Sequence, residues 1–336
     1  MQPIPDLNEN PTVVVCGSIH LDTLVQVDSV PAEGGTLIVD DGTNMLGGKG
    51  ANQAVAIAYD GVRAIMAGTV GEDRAADFVV EELNAHGVDV HSIQTSWDLP
   101  TGSAFVATNR KGRPVIFVQR GADALTDPTD FVDEFASADV VLAQGELLPE
   151  ATEAIASVAS MYSARLVLNL NPVVTVTPAL IDHADPLIVN MKGAWETIRR
   201  LDIAEGIRAT DYRAQLEALL QYCPSVVMLR GDHGCLFAQH SDGLDDEPTI
   251  YEHPALKLPE EKIVDGTGSG DAFVGTLTAE LAKGTSLYDA VPLATAAGAA
   301  AVQAVGACSA FVRREKLLEM VCLLYTSPSP RDATLS

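Results

Sequence analysis

A glycine-rich turn that ends in an acid is the stretch of this chain best suited to catalysis. The sequence DGTGSGD at residues 265–271 leads into a segment with helical periodicity. Its three glycines let a ligand approach the backbone closely, and the first amides of a helix bind anions such as phosphate. Beside a phosphate, the carboxylate of Asp271 suits the removal of a proton from an attacking hydroxyl. The segment therefore predicts phosphoryl transfer, unless Asp271 only complements the helix N-terminus.

A second glycine-rich segment, GGKGANQA at residues 47–54, also stands at the start of a predicted helix. A Walker phosphate loop would need Ser or Thr directly after its lysine, and Gly50 occupies that position. Lys49 and Asn52 are three residues apart, so both can face the same side of the helix start. They would offer hydrogen-bond donors to a polyhydroxylated ligand, or the segment is an ordinary first helical turn.

The composition argues against several classes of function. The 336 residues hold 46 Asp and Glu against 21 Lys and Arg, a formal charge of −25. Such a chain repels polyanions, which argues against a nucleic-acid partner, and an anionic substrate needs a locally compensated pocket. No apolar run is long enough to span a membrane, and the first ten residues lack signal-peptide features. Five widely spaced cysteines without CxxC indicate a reduced, cytoplasmic compartment, and the histidines show no zinc-ligand spacing.

Strands and helices that alternate along the chain must position these motifs. Four short β-like segments predict a small lid over a site: residues 24–28, 36–40, 102–108 and 114–119. After residue 121 the pattern of an α/β protein repeats, with strands predicted at 140–143, 165–169, 186–190 and 226–229. Ligands bind beyond the carboxyl ends of such strands, where Glu146, Asn190 and Gly231 lie. A glutamate at a strand end can also be a solvated loop acid.

The two glycine-rich motifs, together with GSIHLD at residues 17–22, resemble the ribokinase branch of the PfkB carbohydrate-kinase family over roughly residues 13–318. The resemblance implies an α/β fold with a mostly parallel central sheet flanked by helices, ribokinase-like, and a small β lid. It predicts one kinase domain at 12–321, with lid segments at about 23–42 and 101–120. The composition changes sharply near the end, so residues 322–336 are predicted to be a disordered or non-native tail.

The resemblance also implies a role for individual residues. The sugar contacts would be Asp22, Gly47, Gly48, Lys49, Asn52, Glu146 and Asp271. Asp271 would be the base, and the amides from Gly268 through Ser269 and Gly270 to Asp271 would form the anion hole. The nucleotide contacts would be Asn190, Gly231, Gly234, Gly268 and Gly270. Asp265 and Gly306 would hold a monovalent cation. The cofactors implied are ATP, Mg²⁺ and K⁺.

Three positions depart from the family pattern. The family often has Asn where this chain has His20, which puts the exact sugar in question. Its NxxE motif, tied to magnesium and phosphate handling, appears here as NMKG at 190–193, and Glu196 comes three residues too late. The segment Leu229-Arg230-Gly231 lacks the Thr often found near the nucleotide.

The motifs and the resemblance together predict a cytoplasmic, ATP-dependent sugar kinase. The resemblance implies D-ribose as the substrate, ribose 5-phosphate as the product, and a homodimer through the lid. The partners of this kinase would be a small sugar and ATP, with neither nucleic acid nor membrane. Two alternatives remain open: a family kinase for another pentose, a ketohexose or a nucleoside, and a catalytically weak regulator that binds sugar or nucleotide. A nicotinamide dehydrogenase is disfavoured, because no GxGxxG follows the first strand.

Overall fold

The structure is a computed structural model that describes residues 11–109, 114–240 and 248–326. The strands are β1 (Thr12–Cys16), β2 (His20–Val27), β3 (Thr43–Gly47), β4 (Arg63–Gly71), β5 (Ile93–Ser96), β6 (Gly102–Asn109), β7 (Pro114–Gln119), β8 (Val140–Gln144), β9 (Arg165–Asn169), β10 (Ala184–Asn190), β11 (Ser225–Leu229), β12 (Cys235–Gln239) and β13 (Thr249–His253). The α-helices are α1 (Lys49–Tyr59), α2 (Arg74–Ala85), α3 (Val132–Ser137), α4 (Pro149–Met161), α5 (Pro178–Asp182), α6 (Met191–Arg200), α7 (Tyr212–Leu220), α8 (Ser269–Ala282), α9 (Leu287–Ala301) and α10 (Arg314–Thr326).

Nine of the described strands form one central sheet, in the order β13-β12-β11-β10-β9-β8-β1-β4-β5. All neighbours are parallel except β11–β12 and β12–β13, which are antiparallel. The inner strands are apolar on both faces, as helix-covered parallel strands must be. In β1, Val13 and Val15 face one apolar layer, whereas Val14 and Cys16 face the other. The predicted class, an α/β fold with a mostly parallel sheet between helices and a small β lid, is confirmed.

The lid is a second sheet, in the order β3-β2-β6-β7. The strand predicted at 36–40 is wrong, because the chain remains irregular until β3 starts at Thr43. The physical reason is the register. His20 pairs with Gly47 and Leu24 pairs with Thr43, so the antiparallel ladder between β2 and β3 ends before it reaches residue 40. The apolar residues of that segment are exposed instead, with Ile38 at 84%.

Helices α1 and α8 lie side by side, and the N-termini of both lie at the same end. Gly275 permits this close packing, because a Cβ there would lie 2.5 Å from the Cβ of Ala56. The opposite ends are joined by a cluster of charges. Lys283 Nζ donates to Asp60 Oδ2 at 2.5 Å and to Glu280 Oε1 at 2.9 Å. Arg314 of α10 donates to both acids as well.

The last helix, α10, extends to Thr326 and so includes the first five residues of the predicted tail. Residues 327–336 lie outside the described part of the chain, and the interpretation of 322–336 as a tail stays a prediction. None of the helices described is long and apolar enough to cross a membrane.

Candidate active site

The glycine-rich turn ends at the start of α8, as the sequence predicts. Gly268 precedes the helix with a left-handed φ of 74°, and a Cβ there would lie 2.7 Å from the Cα of Ala307. Glycine is therefore required on both conformational and steric grounds. The amides of Ser269, Gly270 and Asp271 have no acceptor within the helix and lie at the positive end of its dipole. This end of α8 is suited to bind an anion.

Asp271 lies in the first turn of α8, where three side chains of α1 surround its buried carboxylate. Gln53 Nε2 donates to Oδ1 at 2.9 Å, Asn52 Nδ2 donates to Oδ2 at 3.2 Å, and Lys49 Nζ lies 3.8 Å from Oδ1. Burial raises the pKa of Asp271, and the Lys49 charge and the hydrogen bonds oppose that rise without cancelling it. A carboxylate with a raised pKa accepts a proton more readily than an ordinary aspartate. The arrangement suits general-base catalysis.

Gln53 and Gln144 are two residues of this site that the sequence reasoning missed. Gln144 Nε2 donates to Gln53 Oε1 at 2.9 Å, so a chain of two buried amides leads from β8 to Asp271. A signal existed for Gln53, which follows Lys49 by four residues and therefore shares its helix face. No local pattern indicated Gln144, because its partner is distant in the sequence.

Buried acceptor atoms without a donor lie close to Asp271. In the part of the chain that the structure describes, Asp22 Oδ1 and Asn52 Oδ1 are buried and receive no hydrogen bond. Gly47 makes room for Asp22, since a Cβ at residue 47 would lie 2.1 Å from the Asp22 carboxyl carbon. Unpaired buried acceptors are costly, and a ligand that carries hydroxyl groups would supply the missing donors. This arrangement supports the predicted sugar site.

Glu146 holds the start of α1. Its Oε2 accepts hydrogen bonds from Ser18 Oγ at 2.5 Å and from the Lys49 amide at 2.9 Å. Gly48 precedes the helix with a φ of 86°, and a Cβ there would lie 2.7 Å from the Ser18 carbonyl oxygen. Burial acts to raise the pKa of Glu146, but the charges of Lys49 and His20 and the Ser18 hydrogen bond lower it overall. Glu146 is therefore an ionised, half-buried group and not a solvated loop acid.

A cavity of about 550 Å³ adjoins the start of α8. Residues from four regions of the chain line it, among them Gly231, Gly234, Leu256, Ser269, Gly270 and Gly298. Its size and mostly apolar walls suit a nucleotide-sized ligand. Because Ser269 and Gly270 belong both to the cavity and to the helix start, a phosphate chain in the cavity would reach the first amides of α8.

Asn190 ends β10 but does not line this cavity. Its Oδ1 accepts a hydrogen bond from the Gly193 amide at 2.6 Å, and its Nδ2 donates to Asn171 Oδ1 at 3.2 Å. Gly193 brings no acid to this position, and Glu196 pairs at 2.6 Å with Arg200 on the exposed side of α6. The Asn190 side chain is thus engaged within the protein, and its contact with a nucleotide stays a prediction.

Asp265 joins the glycine-rich turn to the loop after α9. Its Oδ1 accepts hydrogen bonds from the Thr267 amide at 2.9 Å and hydroxyl at 2.7 Å, and its Oδ2 accepts one from the Gly306 amide at 2.9 Å. A carboxylate offers about four lone-pair sites, so one remains for a cation. The described residues contain no cluster of three or more His, Cys, Asp or Glu side chains suited to a metal. A monovalent ion here would depend mainly on backbone carbonyls.

Comparisons with known proteins point in the same direction as this geometry. A sequence model described as pfkB family carbohydrate kinase matches residues 10–313. The ribokinase of Staphylococcus aureus is 28% identical over 304 residues, which cover 88% of this chain and 94% of that protein. The bifunctional ribokinase/ribose-5-phosphate isomerase A of Fructilactobacillus sanfranciscensis is 29% identical over 317 residues. That alignment covers 92% of this chain but only 56% of the relative.

A solved structure shares the fold. The structure of Arabidopsis thaliana ribokinase complexed with ribose and ATP superposes with a TM-score of 0.80 at 24% identity. The match covers 93% of this chain and 98% of the other. The ribokinase-like arrangement of sheet, helices and lid is therefore confirmed.

Proposed function

Because the chain belongs to the pfkB family of carbohydrate kinases, we propose that this ATP-dependent sugar kinase phosphorylates the primary 5-hydroxyl of D-ribose and produces ribose 5-phosphate. One observation carries the proposal. The buried Asp271 carboxylate contacts Asn52, whose own oxygen is an unpaired acceptor, and Asp271 follows directly after the cavity residues Ser269 and Gly270. A base thus lies where a hydroxyl-bearing ligand and a phosphate chain would meet.

The chain's own groups account for the chemical step. Asp271 accepts the proton of the 5-hydroxyl while the hydroxyl oxygen attacks the γ-phosphorus of ATP, the bond from the γ-phosphorus to the bridging oxygen breaks, and ADP leaves. The amides from Gly268 to Asp271 stabilise the charge that develops on the phosphoryl oxygens. Mg²⁺ would be bound mainly through the phosphates of ATP and would supply positive charge there, since Mg²⁺ usually keeps several waters and few protein ligands. That agrees with the lack of an acid at Gly193.

Recognition of the sugar rests on acceptors and donors around Asp271. The unpaired oxygens of Asp22 and Asn52 would accept hydrogen bonds from sugar hydroxyls, and Lys49 would donate one. Ribose is proposed because the Staphylococcus aureus relative, which aligns over nearly its whole length, is a ribokinase. A K⁺ ion near Asp265 and Gly306 would stabilise the turn before the anion hole.

The lid carries a candidate contact surface for the proposed homodimer. Strands β6 and β7 expose large apolar side chains on one face of the lid, namely Phe105, Val115 and Phe117, the last at 65%. A contiguous apolar patch of this kind marks a protein contact more often than a free surface. The cytoplasmic location also remains a proposal, to which four buried, free cysteines add support: Cys16, Cys223, Cys235 and Cys308.

The experiment that tests the function measures ADP production from MgATP with K⁺ present. The acceptors are ribose, deoxyribose, fructose and adenosine, with a blank that lacks sugar. Selective turnover of ribose supports the proposal. Turnover of another acceptor keeps the mechanism and replaces the substrate. A folded protein that binds ATP but turns over no acceptor would be the weak regulator that Gly193 allows.

A further inference from the structure

The lid contains a buried ionic contact that the reaction described above does not use. His20 begins β2, is 2% exposed, and places its Nε2 2.6 Å from Asp123 Oδ2. Asp123 lies in the 3₁₀ turn Gly121–Leu125 that follows β7, and its other oxygen, Oδ1, accepts the Ile19 amide at 3.0 Å. The Asp123 carboxylate therefore joins the start of β2, the first lid strand after β1, to the turn that follows the last lid strand, β7.

Strands β3 and β6 of the lid both pair with β2 at this contact. His20 pairs with Gly102, the first residue of β6, and with Gly47, the last residue of β3. A Cβ at residue 102 would lie 2.4 Å from the His20 ring and 2.8 Å from Asp123 Oδ2, so Gly102 leaves the space that the pair occupies. The pair therefore lies where strands β2 and β6 begin and strand β3 ends.

The same contact is linked to the sugar acceptor Asp22. Successive side chains alternate across a strand, so His20 and Asp22 lie on one face of β2. The charged groups that face Asp22 are His20 on its own strand, Lys49 on α1, Glu146 after β8 and Asp271 on α8. Burial raises the pKa of Asp22 to about 6, and His20 is the largest of the charges that oppose this rise.

We propose that His20 and Asp123 form an ion pair that positions β2 over the sugar and supplies the positive charge that makes Asp22 a hydroxyl acceptor. The inference rests on the proposed sugar kinase function. Both are positioning residues, because neither needs to touch the reacting atoms. Burial favours neutral imidazole, but the hydrogen bond and charge of Asp123, with Glu146 and Asp22 nearby, raise the pKa of His20 to about 9. Nε2 thus donates, and the pair is ionic at neutral pH.

The test separates charge from shape with three variants. In His20→Gln the side-chain amide nitrogen replaces Nε2 as donor without its charge, and Asp123→Asn removes the opposite charge. The double variant removes both. We expect His20→Gln to raise the KM for the sugar about tenfold near neutral pH, because Asp22 loses the positive charge that favours its ionised form and the charge of the buried Asp123 is left uncompensated. The KM for ATP changes less than about twofold. The double variant recovers part of the loss, because it no longer buries an uncompensated Asp123 but still lacks the charge of His20.

The pH dependence distinguishes this role from a structural one. In His20→Gln, the KM for the sugar falls again between about pH 7 and pH 9, because the pKa of Asp22 has risen and the higher pH ionises it. His91→Gln is the matched control. His91 Nδ1 also lies 2.6 Å from an aspartate, Asp89, but this pair is exposed and lies outside the site, so both KM values stay unchanged.

Two results would overturn the proposal. One is a double variant as impaired as His20→Gln, and the other is an equal rise of both KM values in the single variant. Imidazole ¹⁵N NMR provides a readout that does not need turnover. A His20 ring that stays protonated above about pH 8 supports the ion pair, and a ring that is neutral at pH 7 refutes it. If the unmodified protein phosphorylates no sugar, the kinase proposal fails, while the NMR result still decides the ion pair.

Discussion

Gln53 Nε2 and Asp271 Oδ1 lie 2.9 Å apart, although 218 residues separate them in the chain. The contact exists because Gly275 lets α1 and α8 pack with their backbones close together. Asp271, the proposed base, is therefore held by helix packing and by a buried chain of two glutamines. Neither the turn before it nor its own helix supplies those hydrogen bonds.

Replacement of Gln53 by Leu should slow catalysis without loss of binding. The variant removes one donor to Asp271 and leaves Gln144 without its partner, so we expect kcat to fall about tenfold. The KM values for sugar and ATP should stay within about threefold. Gln215→Leu is a matched control, since Gln215 is equally buried but caps backbone carbonyls of the α7 region. A normal kcat in Gln53→Leu would contradict this role.

Asp271→Asn tests the base directly. The amide cannot accept a proton, so kcat should fall by about 10²- to 10⁴-fold. ATP binding, measured by calorimetry, should change little because Asp271 is absent from the lining of the cavity. Turnover near that of the unmodified protein would exclude Asp271 as the base.

Gly268→Val tests the anion site. Valine at a φ of 74° is strained, and its side chain would collide with Ala307, so kcat/KM for ATP should fall more than about 100-fold. Gly61→Val carries a similar strain at a φ of 83° but meets no atom within 4 Å. Both variants should be less stable than the unmodified protein, but only Gly268→Val should show a large fall in kcat/KM for ATP. Equal kinetics in the two folded variants would count against the anion hole.

Lys283→Met tests the charge cluster at the far ends of α1 and α8. It removes a cation from the buried Asp60, so the free energy of unfolding in urea should fall by about 3 kcal/mol. Lys316→Met removes an exposed pair with Glu319 and should cost less than about 0.5 kcal/mol. Equal losses of unfolding free energy in the two variants would show that Arg314 alone is enough to compensate the charge of Asp60.

The His20–Asp123 pair should also appear in the pH dependence of stability. The pKa of His20 is about 9 when folded and near 6.5 when unfolded, so the folded protein holds an extra proton between these values. Its contribution, on the order of 3 kcal/mol, is fully present below about pH 6.5 and is lost as the pH rises through 9. The free energy of unfolding should therefore decline more steeply with rising pH for the unmodified protein than for His20→Gln. Parallel declines would contradict a charged His20.

The sequence by itself determined the local features of this protein. The strands at 140–143, 165–169, 186–190 and 226–229 were predicted to within a few residues, because buried parallel strands are continuous apolar runs. The glycine-rich starts of α1 and α8 were equally clear, since only glycine adopts the positive φ of Gly48 and Gly268 without strain.

Only the tertiary structure decided the contacts between distant segments. The chain from Gln144 through Gln53 to Asp271 and the pair of His20 with Asp123 join residues with no local pattern in common. The strand expected at 36–40 was wrong for the same reason, because a strand needs a partner and the pairing of this segment of the chain with β2 stops at Thr43. Local propensity specifies which segments form helices and strands, whereas packing decides which side chains meet.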